Sequence, residues 1–283
     1  MKRLTLLILT FLYVNSFSQV IYTSKDSSLV LDKFNLAKSK ELYNKPIGKI
    51  IELIGMSFAG TNYVANTLEK PGDEQLIINL TELDCTTFLE TTFALSSCIK
   101  EKKLTFNDYI DKLKFIRYRN GEIIDYTSRL HYTSDWIINN EEKGLVKNIT
   151  KSIGGVPFEK ELFIMSKNTD KYTALKGKQD LINKIINDEK RINNTPKFYI
   201  PTDKIKDIES LINTGDFIGL ATSIEGIDVS HVGIAVKGND GHVYFLHAPM
   251  SGKKVEITGK PLYEYIAGRK TTLGIIITRP IEK

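Results

Sequence analysis

Apolar residues recur at helical spacing through the first half of the chain and gather into short runs through the last third. Helices are predicted over residues 31–43, 47–56, 84–99 and 105–116, the last opened by a Thr105 to Asp108 cap. In the third of these, Phe88, Leu89, Thr92, Phe93 and Leu95 trace an apolar stripe, with Asp84 at the N-cap and Cys85, Thr86 and Thr87 in the first turn. A middle region from Arg117 to about Tyr199 is rich in Asn, Lys and Asp and carries one more helical pattern, residues 180–189. Beyond it, residues 217–222, 231–236, 242–247, 254–257 and 271–279 are apolar runs punctuated by Gly, Asn and Pro, as in an antiparallel sheet. Helices first and strands afterwards predict an α+β fold: N-terminal helices packed on a C-terminal antiparallel sheet, with an insertion at about residues 117–200.

The first 18 residues read as a leader. Lys2 and Arg3 precede an apolar run from Leu4 to Val14, and Ser16, Phe17 and Ser18 suit a cleavage site. Residues 19–283 then form a single exported domain, periplasmic or secreted, and no stretch reaches the length of a membrane span. Without the leader, 37 basic side chains face 34 acidic ones with no block of like charge, so nucleic acid is not an expected partner. Export makes a disulfide between Cys85 and Cys98, the two cysteines, the first reading to test. On one helix they stand roughly 20 Å apart, too far to bridge. Cys98 is expected to be a small buried hydrophobe.

Cys85 is therefore the candidate nucleophile, at a helix N-terminus whose free N–H groups and dipole favour a thiolate. Its base is sought in the strand holding His231. The turn Lys237-Gly238-Asn239-Asp240-Gly241 calls for a hairpin. If the loop holds those five residues, Val236 pairs with His242, and His231 lies opposite His247, which then orients the base. An even loop length would put the two on opposite faces. Gly233 and Ala235 share the His231 face and leave room there for substrate or for the Cys85 helix. Ordinary sheet histidines, or a metal site of His231, His242 and His247, are the competing readings; the second is weakened because His242 points away from His247. No metal or organic cofactor is called for.

These residues resemble the NlpC-type superfamily of papain-like cysteine peptidases and amidases, which act on bacterial cell-wall peptides. Asp84-Cys85-Thr86 resembles its nucleophile motif, Gly215-Asp216-Phe217-Ile218 its turn into the first strand, Ser230-His231-Val232-Gly233-Ile234 its base strand, and Phe245-Leu246-His247-Ala248 the strand with its third polar residue. Gly60-Thr61-Asn62-Tyr63-Val64 resembles the segment whose tyrosine assists the oxyanion site, with Asn62 where proline is usual. Tyr126-Thr127-Ser128-Arg129-Leu130-His131-Tyr132 and Asp135-Trp136-Ile137 further resemble the N-acetylmuramoyl-L-alanine amidase-like branch. The resemblance implies a papain-like core, Cys85, His231 and His247 as catalytic residues and Tyr63 at the oxyanion site. It implies muropeptide substrates cut between N-acetylmuramic acid and L-alanine, with Arg129, His131, Tyr132, Trp136 and Ser230 as binding positions. Arg129 would hold a carboxylate and Trp136 stack on a sugar, against the alternative of a buried packing cluster. A stem-peptide endopeptidase and a non-catalytic muropeptide-binding protein remain the competing functions.

Overall fold

The computed structural model describes residues 20–282; the leader proposed for residues 1–18 lies outside them. Eight α-helices are found among the described residues: α1 (Ser24–Ser39), α2 (Ile47–Met56), α3 (Cys85–Lys100), α4 (Phe106–Arg117), α5 (Thr133–Glu142), α6 (Ile164–Lys167), α7 (Gln179–Asn193) and α8 (Leu262–Ile266). Reciprocal capping boxes open three of them, Thr23 with Asp26 on α1, Asp84 with Thr87 on α3 and Thr105 with Asp108 on α4. The first of these starts α1 at Ser24, ahead of the apolar run from which residue 31 is the expected start.

Four short strands come early, β1 (Val20–Ile21), β2 (Asn62–Tyr63), β3 (Leu76–Ile77) and β4 (Glu82–Leu83), and pair in parallel as β1 with β3 and β2 with β4. The main sheet is antiparallel. It contains β5 (Val146–Asn148), β6 (Val156–Pro157), β7 (Phe198–Pro201), β8 (Phe217–Thr222), β9 (Val229–Lys237), β10 (Val243–His247), β11 (Glu256–Ile257) and β12 (Thr272–Pro280). Its order is β11-β10-β9-β8-β12-β7-β6, with β5 also on β12. The α+β expectation thus stands, with the five expected C-terminal strands present.

Each face of the sheet covers a core. On one side Phe217, Val232, Ile234, Val236, Leu246 and Ile276 meet the helices, where α3 is buried from Thr87 to Ile99. On the other, Ala235, Val243, Phe245, Ile275 and Ile277 pack under Leu262 and Ile266 of α8. Burying one such side chain is worth about 1.5–3 kcal/mol, and α3 contributes Phe88, Leu89, Phe93, Ala94, Leu95, Cys98 and Ile99 to the helical core. The junction of α2 with β8 depends on two glycines: a Cβ on Gly215 (φ +89°) would lie 2.3 Å from the Gly48 Cα. Asp216 beside it receives a two-toothed grip from Arg279, with Nε to Oδ1 at 2.8 Å and Nη2 to Oδ2 at 2.7 Å.

The middle region is partly woven into this frame. Strands β5 and β7 both pair with β12, and α5 carries Trp136 and Ile137 into the helical core. A third, smaller core of Tyr126, Tyr132, Leu162, Met165, Leu175, Ile185 and Ile192 belongs to this region.

Candidate active site

Strand β4 runs directly into the cap of α3, where Asp84 Oδ1 accepts the Thr87 N–H at 2.7 Å, so Cys85 is the first residue of the helix. The parallel pairing of β2 with β4 sets Tyr63 beside Leu83, which brings the phenol near Cys85 across 21 intervening residues. Cys85 is partly buried, and its sulfur lies close enough to the Val232 backbone N–H to feel it. The thiol therefore lies against the peptide that joins His231 to Val232.

The sequence reading favoured a thiolate here; the surroundings favour the thiol. Burial and the neighbouring Asp84 carboxylate push Cys85 up to about 11, outweighing the Val232 N–H and Thr86. Burial, then the charges of Cys85 and Asp84, also raise the Tyr63 phenol, which stays protonated and able to donate.

The hairpin is tighter than expected. Gly238 N–H bonds to the His242 carbonyl and Asn239-Asp240-Gly241 forms the tip, so Tyr244 faces Val236 and Leu246 faces Ile234. This register is displaced by two residues from the expected pairing of Val236 with His242. Parity survives, and the two histidines become diagonal neighbours on one face instead of directly opposed. They touch: His231 Nε2 and His247 Nδ1 are 2.7 Å apart, rings at 75°. His247 is fully buried. Burial, with the Arg269 charge, holds His231 down to about 4; burial, His231 and Arg269 hold His247 down to about 3. Two neutral imidazoles can share that contact with either ring as donor; when His231 donates from Nε2, its Nδ1 is left as a free acceptor. The His247 Nε2 is buried without a hydrogen-bond partner, and the ring packs edge-on at 5.2 Å against Tyr265 of α8. Gly233 leaves no vacancy for substrate, because a Cβ there would lie 2.6 Å from the Phe245 ring and 2.8 Å from the His247 Cβ.

The remaining expected positions scatter. Ser230 is exposed, its hydroxyl 3.5 Å from the Leu220 carbonyl. His131 lines a small, mainly apolar cavity of about 50 Å³ beside Thr86 and Val232. Its Nε2 donates to the Tyr126 carbonyl at 2.8 Å, and burial with the nearby Arg129 holds it down to about 3. Tyr132 and Trp136 reach the cavity wall from inside the fold: the Tyr132 hydroxyl donates to Glu189 at 2.7 Å, and the indole donates to Glu90 and packs among Phe93 and Phe217. Arg129 is buried and paired with Glu69 at 2.7 Å and Glu74 at 3.2 Å, so its guanidinium already serves two carboxylates. These contacts are those of the packing alternative, and they leave neither a free indole face nor a free guanidinium. His242 binds Glu209 at 3.0 Å, apart from the histidine pair.

Sequence reasoning missed Glu90, Tyr265 and Arg269. Glu90 is buried on α3 and takes Arg117 Nε at 2.6 Å, a tie to α4 that two distant charges in sequence do not announce. Tyr265 is foreshadowed only by the short apolar pattern of α8. Arg269 lies over the Tyr265 ring at 4.3 Å and is marked by no motif.

A family model described as N-acetylmuramoyl-L-alanine amidase-like (AmiA-like) matches residues 53–275. Among solved structures, an N-acetylmuramoyl-L-alanine amidase from Bacteroides uniformis superposes with a TM-score of 0.78 at 32% identity, over 83% of this chain and 99% of that one. A "putative xylanase" from Bacteroides fragilis superposes with a TM-score of 0.75 at 36% identity, over 80% of this chain and 99% of that one. A protein from Legionella pneumophila shares the fold, with a TM-score of 0.68 at 22% identity over 91% of this chain and 95% of that one. No curated protein sequence matches. With its family model spanning most of the described residues and full-length structural relatives above 30% identity, the chain belongs to the N-acetylmuramoyl-L-alanine amidase-like family.

Proposed function

We propose that this protein is an exported cysteine amidase of papain-like, NlpC-type arrangement that hydrolyses the bond between N-acetylmuramic acid and L-alanine in muropeptides. The observation that carries the reading is the placement of the Cys85 sulfur against the His231–Val232 peptide, with His231 held by His247 through Nε2. Family membership supports the substrate class.

In this mechanism the His231 Nδ1 takes the thiol proton as the sulfur attacks the lactyl carbonyl. The oxyanion receives the Cys85 N–H, free because it opens a helix, and the Tyr63 hydroxyl. His231 then returns the proton to the departing alanine nitrogen. Water attacks the thioester with His231 as base, releasing the muramic acid carboxyl and the thiol. His247 holds the imidazole throughout.

The xylanase name of one relative does not suit these side chains. Glycoside hydrolysis ordinarily uses two carboxyl groups facing each other across the bond. Here Asp84 is committed to the cap of α3, and Glu90 to Arg117 and Trp136.

The test is mass spectrometry of a purified disaccharide-tetrapeptide incubated with the mature protein and with Cys85→Ala. Free disaccharide plus intact tetrapeptide from the wild type alone is expected. A shortened stem would reassign the protein as an endopeptidase, and equal product from Cys85→Ala would remove the thiol mechanism.

A further inference from the structure

Arg129, the guanidinium that sequence reasoning assigned to a substrate carboxylate, is buried under Glu69 and Glu74. Arg269 differs from it in each respect. It is exposed, it follows α8 directly, and no carboxylate pairs with it among the described residues. Its contacts are the Tyr265 ring at 4.3 Å and the Tyr265 carbonyl, 3.4 Å from Nε. Tyr265 in turn packs on His247 at 5.2 Å, and His247 touches His231. The contacts thus run from guanidinium to phenol ring to His247 to His231, with His247 the fully buried member and His231 partly exposed. The charge of Arg269 is felt by both imidazoles.

Stacking on Tyr265 engages the guanidinium through its face and fixes its position, while its edge N–H groups remain able to form a fork around a carboxylate. An exposed cation within electrostatic reach of both imidazoles, unpaired and partly immobilised, is organised to receive an anion from the ligand.

Resting on the amidase reading above, we propose that Arg269 binds a carboxylate of the substrate's peptide stem, specifically the α-carboxylate of the second residue, D-glutamate. That group lies one residue beyond the alanine whose nitrogen is released, and it is the first free anion along the stem from the scissile bond. The chemistry excludes its amide, which carries no charge and offers an N–H₂ toward the N–H donors of the guanidinium.

The experiment compares two muramyl tripeptides whose γ-carboxyl is amide-bonded to L-lysine, N-acetylmuramyl-L-alanyl-γ-D-glutamyl-L-lysine with a free α-carboxylate and the corresponding D-isoglutaminyl compound with an α-amide, as substrates for the wild type, Arg269→Gln and Arg269→Lys. The wild type is expected to prefer the carboxylate about tenfold in kcat/KM, mainly through KM. Arg269→Gln should bring the ratio of the two substrates close to one, and Arg269→Lys should restore part of it. A ratio unchanged by Arg269→Gln overturns the proposal, as does a wild type that shows no preference. Calorimetric binding of both compounds to Cys85→Ala, with and without Arg269→Gln, reads the same discrimination without turnover. Absence of product from the wild type together with retained discrimination in binding would count against the amidase reading alone.

Discussion

Cys85 keeps its proton at neutral pH because burial and Asp84 act in one direction and the helix terminus in the other. With the thiol near 11 and His231 near 4, the resting pair is neutral. Alkylation by iodoacetamide should then accelerate with pH through the alkaline range towards 11, with no plateau at neutrality. A plateau reached by pH 7 would instead mark a preformed thiolate and imidazolium. The acid limb of kcat/KM should lie near pH 4, since in the proposed mechanism His231 must be unprotonated to accept the thiol proton. His247 acts one bond further away. In the proposed mechanism its Nδ1 accepts the His231 Nε2–H, so His247→Ala leaves the base free to change tautomer and should lower kcat/KM on the order of 10²-fold. His247→Asn, which restores an acceptor oxygen, should lose less. Equal rates for Ala and Asn would show that the acceptor is immaterial.

Strands β9 and β10 form the element on which this dyad depends, and Gly233 is their tightest point. An added methyl meets the Phe245 ring, the Leu246 carbonyl at 2.7 Å and the His247 Cβ, so Gly233→Ala must displace the partner strand. It is expected to cost about 1–3 kcal/mol in urea unfolding and to reduce activity further by moving His247. Full activity at wild-type stability would contradict that packing. The same two strands show where the sequence was legible. The start of α3 could be read because Asp84 and Thr87 lie three residues apart and satisfy each other locally. The strands could be read from their apolar runs. Their register could not, because it depends on whether Gly238 joins the ladder or the loop, a choice settled by the hydrogen bond to His242. The two histidines remained on one face because the displacement was even. Arg129 was misplaced for a different reason: its partners, Glu69 and Glu74, lie on a distant loop that no local pattern connects to it. Tyr265 and Arg269 reach the site only through tertiary packing of α8.

At the scale of the molecule, the sheet separates two cores, and its helical side is fastened by the Asp216–Arg279 fork and by Glu282, which accepts the Ile47 N–H at 2.8 Å and pairs with Lys100 at 2.5 Å. Within this frame three histidines, His131, His231 and His247, are held neutral well below their ordinary value. In the unfolded chain each would protonate below about pH 6.5. Between that pH and the folded values near 3 to 4, unfolding takes up protons, so stability is fully present above the unfolded pKa and falls as pH drops. The slope is about 1.4 kcal/mol per pH unit for each group. Buried Asp228 and the half-buried Glu74 and Asp188, all raised chiefly by desolvation, oppose this by binding protons in the fold first. Replacement of one histidine separates the contributions. His131 is suited to this because its Nε2–H donates to the Tyr126 carbonyl, a bond the amide of a glutamine can replace. His131→Gln should therefore flatten the dependence of unfolding free energy on pH between 5 and 6 by about one proton. A slope identical to that of the wild type would mean that His131 already titrates normally in the fold, and that the stack of Tyr126 on its ring at 4.4 Å does not keep it from water.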